Sequence, residues 1–160
     1  MAHENPSSDE LRRLLEESST IAVVGASGNP ERPSHGVMKK LLAAGYRVIP
    51  VNPNESEVLG QKAYASLLAV PEKVDIVDVF RKTADVMPIA EDAIKIGAKV
   101  LWQQLGVRNE EAAAKARAAG LQTVLDRCVK IEHGRLFGGL NWVGVNTKVI
   151  SAKRPRWLAY

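Results

Sequence analysis

The feature that most restricts what this chain can fold into is the run Val74-Asp75-Ile76-Val77-Asp78-Val79-Phe80. It is rich in β-branched residues and lacks the strict polar–apolar alternation of a half-exposed strand, so it reads as a strand buried on both faces. Shorter runs of the same kind occur at residues 21–24, 47–51, 100–102 and 121–125. Helical patterns separate them. Ser7 and Glu10 have capping-box spacing ahead of Leu11, Leu14 and Leu15, which predicts a helix over about residues 8–18. Pro33 or Ser34 starts a helix carrying Val37, Met38, Leu41 and Leu42, and Gly45 stops it. A short strand is expected near residues 62–64, then a helical turn capped by Ser66. Thr83 is read as the cap of the next helix, irregular at Pro88 and closed by Gly97. Asn109 caps an Ala-rich helix that ends at Gly120, and Asp126 is read as capping a last short helix through Ile131. Strands alternating with helices predict an α/β, Rossmann-like three-layer domain of about five parallel strands with helices on both faces. The pattern runs over residues 1–137, and residues 138–160 read as a basic C-terminal extension.

Composition narrows the class. The chain has 160 residues, 46% hydrophobic and 25% charged, which suits one globular domain with a proper core. No apolar run approaches the roughly 18 residues that span a bilayer. The N-terminus lacks the basic and apolar regions of a signal peptide. Cys128 is the single cysteine, so no internal disulfide can form, and a cytoplasmic protein is expected. The net charge of +4 suits an anionic partner without distinguishing DNA, a membrane or a polyphosphate. Part of that charge sits in Lys148, Lys153, Arg154 and Arg156, interleaved with Trp142, Trp157 and Tyr160. Such a mix can bind nucleic acid or a membrane surface. No nucleic-acid motif accompanies it, so it is read as a tail that packs on the domain or on a partner subunit. Neither nucleic acid nor membrane is expected as a partner; a homodimer is compatible.

In open α/β sheets, ligands bind beyond the carboxyl ends of the strands, where the strand order reverses. Here that point is the loop Gly25-Ala26-Ser27-Gly28, followed by Ser34-His35-Gly36 at a helix start. Glycines let the backbone approach a ligand, and the unpaired N–H groups of a first helical turn attract an anion. Ser27 and Ser34 add hydroxyls, and Arg32 adds charge. The plainer reading is a tight turn and nothing more. The loop is G-x-x-G, neither the G-x-G-x-x-G of dinucleotide-binding domains nor a P-loop. At the end of the second strand, Val51-Asn52-Pro53 has no carboxylate before Glu55. That counts against NAD, whose domains place an acid there for the ribose. With an Arg or Lys nearby, the absence is tolerable for a ligand with a phosphorylated ribose, such as NADP or CoA.

Residues 21–27, Gly45-Tyr46-Arg47-Val48-Ile49-Pro50-Val51-Asn52-Pro53, the run from Val74 to Arg81, Trp102-Gln103-Gln104-Leu105-Gly106 and Asp126-Arg127-Cys128 together resemble the small bacterial CoA-binding proteins. That family is similar to the N-terminal CoA-binding domain of the succinyl-CoA synthetase α subunit. The resemblance covers about residues 11–137. It implies a CoA or acyl-CoA binding protein, with coenzyme A as cofactor and no evident catalytic machinery. Gly25, Ala26 and Ser27 would face the phosphates. Val51, Asn52 and Pro53 would line the adenosine side, with Lys62 as a charge partner. Phe80 and Arg81 would lie along the pantetheine, and Trp102, Gln103 and Leu105 at the thiol end. The synthetase's catalytic histidine belongs to a second domain, and His3, His35 and His133 offer no counterpart, so binding rather than turnover is implied. The alternative is an NAD(P)-binding oxidoreductase-like domain, for which 160 residues leave little room to add a substrate domain.

The remaining candidates have plainer readings. Cys128 is a buried inert thiol or a thiol beside the cofactor's own. Asp78, inside an apolar strand, is a carboxylate bonded to neighbouring backbone, since no His or Ser stands by to make it a base. His35 either touches phosphate or is partly solvated. Glu132-His133 lacks a further ligand at metal spacing, so no metal is expected. Glu110, Glu111 and Lys115 form a solvated helix face.

Overall fold

In the computed structural model, which describes residues 4–138, five parallel strands form the central sheet in the order β2-β1-β5-β6-β7. They are β1 (Thr20–Val24), β2 (Arg47–Val51), β5 (Ile76–Val79), β6 (Val100–Gln103) and β7 (Gln122–Val124). The helices are α1 (Ser8–Glu17), α2 (Pro33–Ala43), α3 (Val86–Lys95), α4 (Glu110–Ala118) and α5 (Val129–His133). Successive side chains of a strand point to opposite faces. Ile21 and Val23 of β1 therefore pack with Leu14 and Leu15 of α1, Met38 and Leu41 of α2 and Val129 of α5. Ala22 and Val24 pack with Ala90 and Ala93 of α3 and Ala112 and Ala116 of α4. The Rossmann-like three-layer expectation holds, and the strands are continuous apolar runs because both faces are covered.

Both ends of the sheet are managed. Beyond β7, the side-chain amide of Asn5 donates to Leu125 O at 2.9 Å and accepts from Leu125 N at 2.8 Å, completing the edge as a neighbouring strand would. Pro50, which has no N–H to give, stands in edge strand β2, and its carbonyl accepts from Tyr64 N. A hairpin of β3 (Glu57–Val58) and β4 (Gln61–Lys62) turns at Leu59 and Gly60, both with positive φ.

Several local expectations are met in detail. The Ser7–Glu10 capping box is present, and Asn109 Oδ1 accepts from Ala112 N at 2.9 Å. Three caps are corrected. The side chain of Ser66 makes no capping bond to its 3₁₀ turn. Thr83 opens a 3₁₀ turn, not α3 itself, because Pro88 disturbs the start; its hydroxyl accepts from Arg108 N instead. Asp126 takes a positive φ and accepts from Gly106 N at 2.6 Å, so Cys128, not Asp126, stands at the N-cap of α5. His3, Trp142, Trp157, Tyr160 and the basic extension beyond residue 138 lie outside the described residues.

Candidate functional site

The chain leaves β1 toward β2 on one side and returns to β5 on the other, so the strand order reverses between β1 and β5. Gly25 stands at that reversal with φ +94°. A Cβ there would lie 2.3 Å from Phe80 O, so backbone packing alone demands glycine. Gly25 N donates to Val51 O and Phe80 N to Val24 O, both at 2.8 Å, which pins the loop's first residue to its neighbours on both sides.

The rest of the loop is held by side chains. Ser27 N donates to the buried Ser34 hydroxyl at 3.2 Å, and Asn29 N donates to Ser27 Oγ at 3.1 Å. Ala26 is buried, and its carbonyl accepts from Asn52 Nδ2 at 2.8 Å. Gly28 N donates to a carboxylate oxygen of Glu55 at 2.8 Å. The first helical turn of α2 has Arg32 at its N-cap and no side-chain cap, which leaves the positive end of the helix dipole facing the loop. His35 is half-buried in that turn. Lys130 Nζ lies 4.0 Å from the position a Cβ would occupy on Gly36, adding a second cation that the sequence reading did not name.

Beside the loop, on the α3 face, is a cleft of about 180 Å³. Val24, Val51, Pro53, Leu67 and Ile89 make it apolar; Ser66, Arg81 and Asp92 give it polar groups. Three residues named from sequence, Val51, Pro53 and Arg81, meet here. Ser66, Ile89 and Asp92 were missed because their approach depends on how α3 and the turn before β5 pack across the sheet. Lys62 is not in the cleft; its amine stands 5.3 Å from the Tyr64 ring centroid. Phe80 packs into the core on the α1–α2 face.

The residues assigned to the thiol end are not gathered into one pocket. Trp102 is fully buried, with its indole N–H donating to Arg127 O at 2.8 Å. Gln103 is fully buried, and its amide clamps Asn109 at both N (2.6 Å) and O (3.0 Å), holding the loop ahead of α4. Leu105 is 65% exposed. A larger cleft of about 650 Å³ lies elsewhere, between the segment at residues 4–8, Arg108, Arg127, Glu132 and Arg135, and holds none of the residues assigned from sequence to the cofactor.

Asp78 corrects its expectation. It is fully buried, and its partner is a side chain, Gln104 Nε2 at 2.6 Å, not backbone; among the described residues Oδ2 has no hydrogen-bond partner. Burial pushes this carboxyl well above the usual carboxylate range, with the Gln104 bond opposing it. Cys128 is half-buried against the α1–α2 core. His133 is a core residue edge-on to Tyr46 and tilted against Phe137. Lys115 pairs with Glu91 of α3 at 2.6 Å on an exposed face. Among the described residues, no group of three His, Cys, Asp or Glu side chains is gathered as for a metal, and no helix is long and apolar enough to cross a membrane.

Comparison with known proteins adds to this geometry. The profile of the CoA binding domain family matches residues 19–134. The uncharacterized protein YneT of Bacillus subtilis is 42% identical over 81% of this chain and 96% of its own. The ADP-forming acetate–CoA ligase II of Archaeoglobus fulgidus is 31% identical over 85% of this chain, which spans only 20% of that enzyme. A hypothetical protein from Pyrococcus horikoshii, solved as a structure, is 46% identical with a TM-score of 0.80, over 85% of this chain and 99% of its own.

Proposed function

Because the chain belongs to the CoA binding domain family, we propose that it binds coenzyme A or an acyl-CoA and performs no chemistry of its own on it. The observation that carries this is the juxtaposition at the strand-order reversal. The glycine loop, the uncapped start of α2 and the small apolar cleft lie together at the carboxyl ends of β1 and β2. In this reading the diphosphate approaches the loop at residues 25–28 and the first turn of α2, where Arg32 and Lys130 add positive charge. The adenine enters the cleft against Val51, Pro53 and Ile89. Arg81 meets a phosphate, and the pantetheine runs across the ends of β5 and β6. Gln103 and Trp102 support that path by fixing backbone rather than by touching ligand, and exposed Leu105 is the contact. Among the described residues of the site no hydrogen bond pairs a nucleophile with a base, and the ligase similarity covers a fifth of that enzyme, so ligase activity is not carried over. Titration calorimetry with CoA tests the proposal: binding is expected, weakened when the 3′-phosphate is removed. No heat at millimolar CoA would defeat it.

One observation favours the dinucleotide alternative. Glu55 does bring a carboxylate to the loop, near where NAD domains keep their ribose acid. That oxygen is engaged by Gly28 N, however. A fluorescence titration with NADH and NADPH that leaves emission unchanged would remove the alternative.

A further inference from the structure

The loop amides are already engaged, and their partners differ in kind. Gly25 N is bound to a strand carbonyl, and Ser27 N and Asn29 N to serine hydroxyls, all neutral. Gly28 N is bound to the carboxylate of Glu55, at 2.8 Å. A carboxylate presents a charged oxygen to an amide as a phosphate does. The seat is built, not incidental. Asn52 Oδ1 accepts from Asn54 N at 2.9 Å, and Glu55 N donates to Asn52 O at 3.2 Å, which shapes residues 52–55 into a tight turn. Asn52 Nδ2 fastens that turn to Ala26 O, so the Glu55 stem starts beside the loop it reaches. Both carboxylate oxygens lie 3.5–3.6 Å from the position of a Cβ on Gly28. Glu55 is also only half-buried, so its flexible stem can swing into water, whereas the carbonyl on Gly25 cannot leave.

We propose that Glu55 is a selectivity-determining residue of the CoA site: an internal anion that occupies the Gly28 amide and must be displaced by the diphosphate of an incoming ligand. This rests on CoA being the ligand. The carboxylate acts on phosphate twice, by holding the N–H and by repelling the charge. It thereby discriminates against phosphate-bearing ligands that cannot offset the displacement with contacts elsewhere, such as adenine in the cleft.

The test is calorimetry with CoA on the wild-type chain, Glu55→Gln and Glu55→Asp, with the ¹⁵N–¹H resonance of Gly28 followed in parallel. Glu55→Gln removes the charge and is expected to bind CoA about three- to tenfold tighter. Glu55→Asp, one methylene short of the seat, is expected to fall between the two. In the wild type the Gly28 resonance should move on adding CoA. Inorganic pyrophosphate alone should move it more readily in Glu55→Gln. Equal CoA affinities in wild type and Glu55→Gln would overturn the role of Glu55 and leave CoA binding standing. Absence of CoA binding to all three proteins would overturn CoA binding itself, and the proposal with it. Melting temperatures of the variants within a few degrees of wild type ensure that affinity, not folding, is read.

Discussion

Replacing Gly25 by alanine should damage the fold before it affects any ligand. The added Cβ would stand 2.3 Å from Phe80 O, 3.1 Å from Phe80 C and 3.3 Å from Phe80 Cβ. The nearest atom is backbone, and Phe80 N is tied to Val24 O while Gly25 N is tied to Val51 O, so neither strand end can retreat without breaking a ladder bond. Two costs combine. The left-handed φ of +94° costs an L-residue about 1–2 kcal/mol. Overpacking costs about 1–3 kcal/mol. Together they predict a loss of about 2–5 kcal/mol, a fall in Tm of about 10 °C for a chain of this size. The assay is urea unfolding followed by circular dichroism, with the slope checked for constancy. Gly28→Ala in the same loop is the control: its Cβ would meet only the Glu55 carboxylate, at 3.5 Å, an ordinary contact, so a loss under about 1 kcal/mol is expected. If Gly25→Ala cost no more than Gly28→Ala, the close approach of β1 and β5 would not be what requires glycine.

Two further outcomes follow from the buried acids of β5 and its approach. Asp78 has a raised pKa in the folded chain, so that chain keeps a proton the unfolded one gives up above its ordinary 3.8; stability falls as pH climbs from there through the folded value. Asp78→Asn, which can still accept from Gln104, should melt higher than wild type at pH 8, with the gap closing toward pH 4. Parallel melting curves across that range would contradict a buried neutral carboxyl. Asp75 behaves oppositely. Burial raises its pKa, but N–H bonds from Ser19 and Thr20 together with Lys99 outweigh it and hold the carboxyl below 3.8. Its contribution is therefore present above that value and lost as pH falls through the folded one. Asp75→Asn should cost about 1–3 kcal/mol at pH 7 and flatten the acid limb of the stability curve, measured by urea titration at stepped pH.

Layer architecture and strand number were legible in the chain because they depend on local properties: continuous β-branched runs, helix caps such as Ser7 and Asn109, and stops such as Gly45 and Gly97. The turn at Gly25 was legible for the same reason, since a glycine directly after an apolar run marks the end of the first strand. What misled were residues with two possible bonding partners. Asp126 looked like a helix cap and bonds Gly106 N instead. Thr83 looked like a cap and serves Arg108 N, 25 residues away. Both offer a side-chain oxygen whose partner is chosen by loops brought together from distant positions.

The sequence by itself determined that this is a two-faced parallel sheet and that a glycine turn closes the strand where its order reverses, because strand burial and turn chemistry are read residue by residue. Only the tertiary structure decided that Gly25 answers to the carbonyl of Phe80, that Gln103 and Trp102 brace backbone rather than line a pocket, and that Ile89 and Asp92 of α3 complete the cleft. It alone brought Glu55 to Gly28, 27 residues earlier in the chain. Contacts of that kind arise from the register of strands and the packing of helices across them, which no local pattern encodes.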